Sequence, residues 1–104
     1  MKLRTFLALP LAAFGIAAAL AAAAPHPVAI EGMQFKPGSV NVARGDTLTW
    51  TNKDPVPHTA TARGAFDSGN IAPGQSFSRK MEQPGEFDYI CSYHPGMKGK
   101  VVVK

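Results

Sequence analysis

The chain has 104 residues, of which 45% are hydrophobic and 17% charged, and its formal net charge is +4. This length gives room for one domain, and the composition is that of a globular protein rather than a disordered one. The lysines and arginines form no clustered run with interleaved aromatic residues, so the sequence gives little support to nucleic-acid binding.

The beginning of the chain has the order of features typical of a secretory signal. Lys2 and Arg4 precede an apolar stretch over 6–20, and small residues follow at 22–24. A basic start, an apolar middle and an alanine-rich end together predict cleavage among residues 22–24. We therefore predict a signal peptide over 1–24, export to the periplasm and one mature domain over 25–104.

An uncleaved membrane anchor is the alternative for this segment. Residues 6–24 are 19 uncharged residues in a row, close to the length of roughly 20 that spans a bilayer. The run is mostly alanine and contains Pro10 and Gly15, which favours a signal peptide. No stable membrane insertion is expected after its removal.

Seven short strands are predicted in the rest of the chain, after an extended linker over 24–27. Apolar and polar residues alternate within each strand, and turns that contain Gly or Pro separate them. The predicted strands are 28–31, 39–43, 47–51, 59–62, 76–81, 86–91 and 100–104. No helical period is found among them, so we predict an all-β fold, a Greek-key β-sandwich or barrel of about seven to eight strands.

Cys91 is the only cysteine, so the chain cannot form an internal disulfide. An exported domain of about 80 residues has a small core, and such domains often need disulfides or a metal. An unpaired thiol in an oxidising compartment also needs an explanation. Both points favour a metal site.

The single cysteine opens the pattern C-x-x-H-x-x-M, which continues with His94 and Met97. In the predicted layout Cys91 ends a strand, and His94 and Met97 lie in the turn after it. His58 follows the segment DPVP, in a loop between two other strands. Because a sandwich gathers its loops at two ends, we expect these four side chains to meet at one end.

Two imidazoles, one thiolate and one thioether discriminate between metal ions. Two histidines and a cysteine with a weak axial methionine favour copper that cycles between two oxidation states. Zinc prefers four strong tetrahedral ligands and rarely takes methionine, and calcium or magnesium needs an oxygen cluster that these loops lack. The donor set therefore predicts one copper ion.

Each of the four residues also has an ordinary structural explanation. A cysteine at a strand end is commonly a small buried apolar residue, and a methionine often fills the core. His58 and His94 can be solvated loop residues. The metal site is the preferred interpretation because four soft or borderline ligands coincide at one predicted end of the domain.

With these residues in place, the sequence resembles the cupredoxins, or small blue-copper proteins. The segment EGMQFKPGSVNVARGDTLTWTNKDPVPHTAT is similar to the first half of that family, and PGEFDYICSYHPGMKGKVVV to the second. The tight C-x-x-H-x-x-M loop is closest to the amicyanin-like members, since plastocyanin-like loops have longer gaps. The resemblance implies that the copper ligands are His58, Cys91, His94 and Met97.

The resemblance further implies an exported one-electron carrier that is not an enzyme. It implies a monomer that docks redox partner proteins of the dehydrogenase, cytochrome c or oxidase type near His94. The alternative is a periplasmic copper carrier for delivery or tolerance. An enzyme has weak support, because copper oxidases need further histidine-rich sites and the sequence has no H-x-H.

Two positions near the ligands depart from the family pattern. Thr59 stands where the family often has asparagine, and Tyr93 stands where amicyanin-like loops carry proline. The hydroxyls of Thr59 and Ser92 are expected to tie the two ligand loops together. We also expect the Tyr93 N–H, which proline lacks, to donate to the Cys91 sulfur beside a donor from Thr59.

Three further expectations concern the surface and the core. An apolar docking patch is predicted around His94, rimmed by Lys98 and Lys53, and formed by Pro57, Pro95, Gly96 and Met97. His26 is not expected to form a second copper site, because Pro25 has no N–H to lose. Met33 and Met81 lie in strand-like segments and are expected in the core.

Overall fold

The computed structural model of the chain describes residues 24–104. This part contains nine strands and no helix, so none of it forms an apolar helix that could cross a membrane. The strands are β1 (Pro25–Ile30), β2 (Phe35–Lys36), β3 (Ser39–Val42), β4 (Thr47–Asn52), β5 (Thr61–Ala62), β6 (Phe66–Asp67), β7 (Ser76–Lys80), β8 (Gly85–Cys91) and β9 (His94–Val103). Except for Ala24, the predicted signal peptide lies outside the described residues.

The strands form two sheets. The first has the order β2-β1-β4-β7 and the second the order β3-β9-β8-β5-β6. β1 runs parallel to β4 and β3 runs parallel to β9, and the other neighbouring pairs are antiparallel. The chain passes repeatedly from one sheet to the other, which brings distant parts of the sequence together. The predicted all-β sandwich is confirmed.

The strand prediction misses β2 and β6, because strands of two residues are too short for an alternation to be visible. The linker predicted over 24–27 is wrong from Pro25 onward, since Pro25 and Pro27 pair with β4. β2 covers β1 only at Ala29 and Ile30. The first half of β1 pairs with β4 on one side, and no strand among the described residues pairs with its other side. Proline is tolerated there because it lies at the edge of the sheet.

The last strand begins at His94 rather than at residue 100. Ser92 and Tyr93 form a two-residue turn, and Cys91 faces His94 as the first pair of the β8–β9 hairpin. His94 is therefore part of a strand, and the prediction that it lies in a longer turn is wrong. The reason is that the chain reverses its direction within two residues.

The core is formed by the inward side chains of both sheets. Leu48 and Trp50 on β4 are fully buried, as the alternating pattern predicts. Trp50 of the first sheet meets Tyr89 of the second edge-on, with ring centroids 5.4 Å apart. Phe35 packs against the same tyrosine at 4.7 Å. Such edge-to-face pairs contribute about 0.5–1.5 kcal/mol each beyond the buried area, and here they join the two sheets.

The two methionines expected in the core differ. Met81 is buried as expected, whereas Met33 is 41% exposed and its core prediction is wrong. Met33 lies in the turn between β1 and β2, with a positive φ of 61°. The turn directs its backbone N–H inward, to the carboxylate of Asp54.

Asp46 stands just before β4, at the opposite end of that strand from residue 54. Its carboxylate accepts hydrogen bonds from the N–H groups of Ala24 at 3.1 Å and Ala43 at 2.9 Å, and from His26 Nε2 at 2.8 Å. The Ala24 and Ala43 bonds, followed by the His26 bond, hold the pKa of Asp46 below its usual value. These contacts attach the start of β1 to the rest of the sandwich.

The ring of Tyr89 occupies the space beside Gly99, its register partner on β9. A Cβ atom at Gly99 would lie 2.3 Å from Tyr89 Cζ, so no side chain fits there. Burial of the ring also raises the pKa of Tyr89 to about 12. Gly99 is thus required by the inter-sheet aromatic packing.

We expect Gly99→Ala to lower the free energy of unfolding by about 1–3 kcal/mol, because the ring must move out of a packed core. Gly38→Ala is the matched control, since a Cβ there would meet its nearest neighbour at an ordinary 3.7 Å. Urea unfolding of the metal-free protein measures both. Equal stability of the two variants would contradict the packing argument.

Candidate metal centre

The sulfur of Cys91 lies at the end of β8, where the inward-facing pattern of that strand continues from Tyr89. Cys91 is fully buried and is the only cysteine, so its thiol is free. It belongs to the same apolar cluster as Met97. The surroundings of the thiol are thus apolar on the core side.

His94 pairs directly with Cys91 across the two-residue turn, and the next pair joins Ile90 to Lys98. The three residues 95–97 therefore have no partner on β8. This irregularity lets the chain leave the ladder after His94 and return to it at Lys98. Within it, Met97 turns into the core and is buried, whereas residues 95 and 96 stay exposed.

His58 comes from the other half of the sequence, in the segment between β4 and β5. Its backbone exchanges hydrogen bonds with Ile71, its N–H donating at 3.1 Å and its carbonyl accepting at 2.8 Å. The imidazole is fully buried. One ring nitrogen, Nε2, is 2.9 Å from Asp54 Oδ2, and the other, Nδ1, faces Cys91.

The three side chains form a compact set of donor atoms. Cys91 Sγ is 3.6 Å from Nδ1 of His58 and 3.6 Å from Nδ1 of His94. All three donor atoms lie within 4.8 Å of one another. Metal bonds of about 2.3 Å to sulfur and about 2.0 Å to nitrogen, set at about 120°, place sulfur and nitrogen about 3.7 Å apart. The sulfur is therefore spaced from each of the two nitrogens as in a trigonal metal site.

The sulfur receives one hydrogen bond from the backbone. The Thr59 N–H donates to Cys91 Sγ at 3.4 Å, as expected. Within residues 24–104 no such bond comes from Tyr93, so the expected second donor is not found. Tyr93 instead extends outward, 48% exposed, and its hydroxyl donates to Asn70 Oδ1 at 2.8 Å.

The side chain of Thr59 ties the two ligand segments together. Its Oγ1 accepts the Ser92 N–H at 2.8 Å and lies 3.0 Å from the Ser92 hydroxyl. The expected link between these two residues is confirmed. It holds the turn that separates Cys91 from His94.

Comparison with known proteins agrees with this arrangement. A family model described as a cupredoxin-like domain matches residues 4–103, nearly the whole chain. The chain is a cupredoxin. The predicted family and the predicted function, a one-copper electron carrier rather than an enzyme, are thereby confirmed.

Individual relatives of this cupredoxin are similar over most of its length. Amicyanin-alpha of Methylorubrum extorquens is 36% identical, over 90% of this chain and 92% of the relative. The chloroplastic plastocyanin of Tetradesmus obliquus is also 36% identical, over 67% of this chain and 58% of the relative. A solved Cu(I) form of an amicyanin variant matches with a TM-score of 0.74 and 33% identity, over 86% of this chain and 90% of that one.

Two polar residues beside the cupredoxin site are absent from the predicted set. Asn52 and Asp54 are both buried, and Asp54 contacts the ring of His58 directly. The segment DPVP indicates only a turn, since an acidic residue is common in turns. The spacing could have indicated a role for Asp54, because this residue stands four positions before the predicted ligand His58 in the same loop.

The carboxyl group of Asp54 is ionised more readily than an ordinary aspartate. Burial is the largest influence and works to raise its pKa. The N–H groups of Met33 and Gly32, and then the His58 ring, outweigh it, so the pKa of Asp54 is lowered. An ionised carboxylate can only accept hydrogen bonds, so His58 donates to it through Nε2, and the neutral ring with this hydrogen bond presents an unprotonated Nδ1 to the sulfur.

We expect Thr59→Val to lower the free energy of unfolding of the metal-free protein by about 1 kcal/mol, because the Ser92 N–H loses its acceptor. Thr59→Ser keeps the hydroxyl and should recover most of that loss. Thermal unfolding of both variants measures the difference. The link is not stabilising if the valine variant matches the wild type.

Proposed function

We propose that the protein is a periplasmic one-electron carrier whose copper ion is held by four side chains, His58, Cys91, His94 and Met97. The observation that carries this assignment is the equal 3.6 Å spacing of the sulfur from both Nδ1 atoms. Two imidazoles and a thiolate with a weak thioether suit a copper ion, which supplies a one-electron couple. The burial of Met97 near the hairpin is consistent with a weak axial ligand.

The burial of the ligands favours electron transfer over delivery of the metal itself. A copper-delivery protein needs ligands that its partner can reach and exchange. His58 and Cys91 are fully buried here, and both are tied to backbone groups. An electron, unlike the ion, can leave without breaking any of these contacts.

His94 is the proposed exit for the electron, because it is the one partly exposed member of the three-residue donor set. Its ring centroid is 5.3 Å from that of the buried His58. An electron that leaves through the exposed part of the His94 ring passes from this proposed ligand directly to the surface. A partner that docks at the exposed end of the sandwich around His94 therefore has the shortest path for the electron.

The proposed docking patch consists of Val56, Pro57, Tyr93 and Pro95 around His94. Val56 is 38% exposed and Tyr93 is 48% exposed, and both prolines are exposed as well. Met97 was expected in this patch but is buried, so that part of the prediction is wrong. Transient redox encounters bury under about 1,200 Å² in total, so docking to a redox enzyme or cytochrome needs only a small patch.

Export rests on the sequence of the first residues. The basic, apolar and small-residue order over 1–24 favours a cleaved signal and a mature domain over 25–104. Copper would then be acquired outside the cytoplasm. Sequencing the amino terminus of protein purified from a periplasmic fraction tests this, and a cytoplasmic product that keeps residue 1 would refute it.

Adding Cu(II) to the purified wild-type domain should produce an intense blue absorption from the thiolate. We expect Cys91→Ala to abolish this band, because no other thiol exists in the chain. Met97→Gln should keep a coloured site with a lower reduction potential, because the axial ligand is weak but tunes the metal. Visible spectra and voltammetry measure both. A Cys91→Ala protein that stays blue would refute the ligand assignment.

Lys98 and Lys53 are exposed near the docking patch and form no ion pair among the described residues. We expect Lys98→Glu to slow electron transfer to an acidic partner several-fold at low ionic strength, and the difference to shrink as salt is added. Lys104→Glu, just after the far end of β9, is the control with the same charge change. A rate that is equally affected by both substitutions would remove Lys98 from the docking surface.

A further inference from the structure

The proposed electron-carrier function does not by itself explain one buried contact, between Asp54 and His58. Asp54 Oδ2 is 2.9 Å from Nε2 of His58, on the edge of the ring that faces away from Cys91. Both residues are buried, with side-chain exposures of 8% for the aspartate and 0% for the histidine. A negatively charged group thus stands directly behind a proposed copper ligand.

The carboxylate of Asp54 is itself held by the turn between β1 and β2. The Gly32 N–H donates to Oδ1 at 2.7 Å, and the Met33 N–H donates to Oδ2 at 2.9 Å. Both residues have positive φ, 65° and 61°, so that two successive N–H groups point at one anion. A methionine in this conformation is strained, and the bond to the carboxylate offsets the strain.

The backbone of Asp54 is fixed as well. Its N–H donates to Oδ1 of Asn52 at 2.9 Å. The amide nitrogen of Asn52 donates in turn to the carbonyls of Val56 at 2.8 Å and Ile71 at 2.9 Å. The loop before His58 is therefore braced from both sides, and the carboxylate cannot drift from the ring without breaking several hydrogen bonds.

We propose that Asp54 is a positioning residue that holds His58 in the tautomer with Nε2–H and lowers the reduction potential of the copper centre. The inference rests on the proposed ligand role of His58. A carboxylate that accepts the Nε2–H bond increases the electron density on Nδ1 and strengthens it as a ligand. A stronger donor with a nearby negative charge stabilises Cu(II) more than Cu(I), so reduction becomes less favourable.

Asp46 offers a matched comparison inside the same chain. Its carboxylate also accepts two backbone N–H groups and one histidine Nε2, from His26 at 2.8 Å. His26 is not one of the proposed ligands, and the pair lies at the opposite end of β4. Asp46→Asn therefore removes the same charge and disturbs the same kinds of bond without touching the metal centre.

The test compares Asp54→Asn with Asp46→Asn in the copper-loaded protein. Loss of an orienting carboxylate typically costs 10–100-fold in metal affinity. A tenfold loss of Cu(II) affinity relative to Cu(I) corresponds to a rise of about 59 mV in the potential. We expect voltammetry to show such a rise for Asp54→Asn, with the blue band retained, and no comparable change for Asp46→Asn.

Magnetic resonance of the wild-type Cu(I) protein gives a second measurement that needs no variant. The His58 ring should carry its proton on Nε2, with a strongly shifted signal that exchanges slowly with water. A proton on Nδ1, an unchanged or lower potential for Asp54→Asn, or an equal shift for Asp46→Asn would overturn the proposal. A wild-type protein that never turns blue with Cu(II) would instead refute the copper function, and the inference with it.

Discussion

The hydrogen bonds between Thr59 and the Cys91–Ser92 segment join two parts of the chain that are 32 and 33 residues apart. One bond goes to the sulfur itself, and the other closes the turn that leads to His94. The position of Thr59 is in turn set by His58, the residue before it, through the bridge to Ile71. The distances among the donor atoms therefore depend on this contact, because neither ligand segment alone contains all the donors.

The sandwich beneath the site explains why its geometry can persist when the charge changes. β8 carries both Tyr89, packed edge-on against Trp50 of the other sheet, and Cys91, two residues later on the same face. Gly99 gives the tyrosine ring its space on the neighbouring strand. The thiol is thus attached to a strand that cannot shift without disturbing the core. Electron transfer benefits from such rigidity, since a preorganised site needs little rearrangement.

Two aspartate–histidine pairs of similar chemistry occupy opposite ends of β4. At one end Asp46 and His26 attach the first strand, and their contribution is structural. At the other end Asp54 contacts His58, whose second nitrogen faces the sulfur. Similar hydrogen bonds therefore have different consequences, which depend on the group that lies beside the other nitrogen of the imidazole. The local sequence does not distinguish the two pairs, because it does not specify which groups the fold places beside each histidine ring.

The sequence by itself determined the all-β class and was enough to propose the donor residues, because alternation along a strand and ligand softness are properties of local segments. It specified the order of Cys91 and His94 but not their pairing across a two-residue turn, which requires the bond from Thr59. Tertiary structure alone decided that Met33 faces solvent and that Asp54 stands behind His58, a proposed ligand. These features arise from hydrogen bonds between residues 21 and 22 positions apart, whose partners become neighbours only when β1 and β4 pair in parallel.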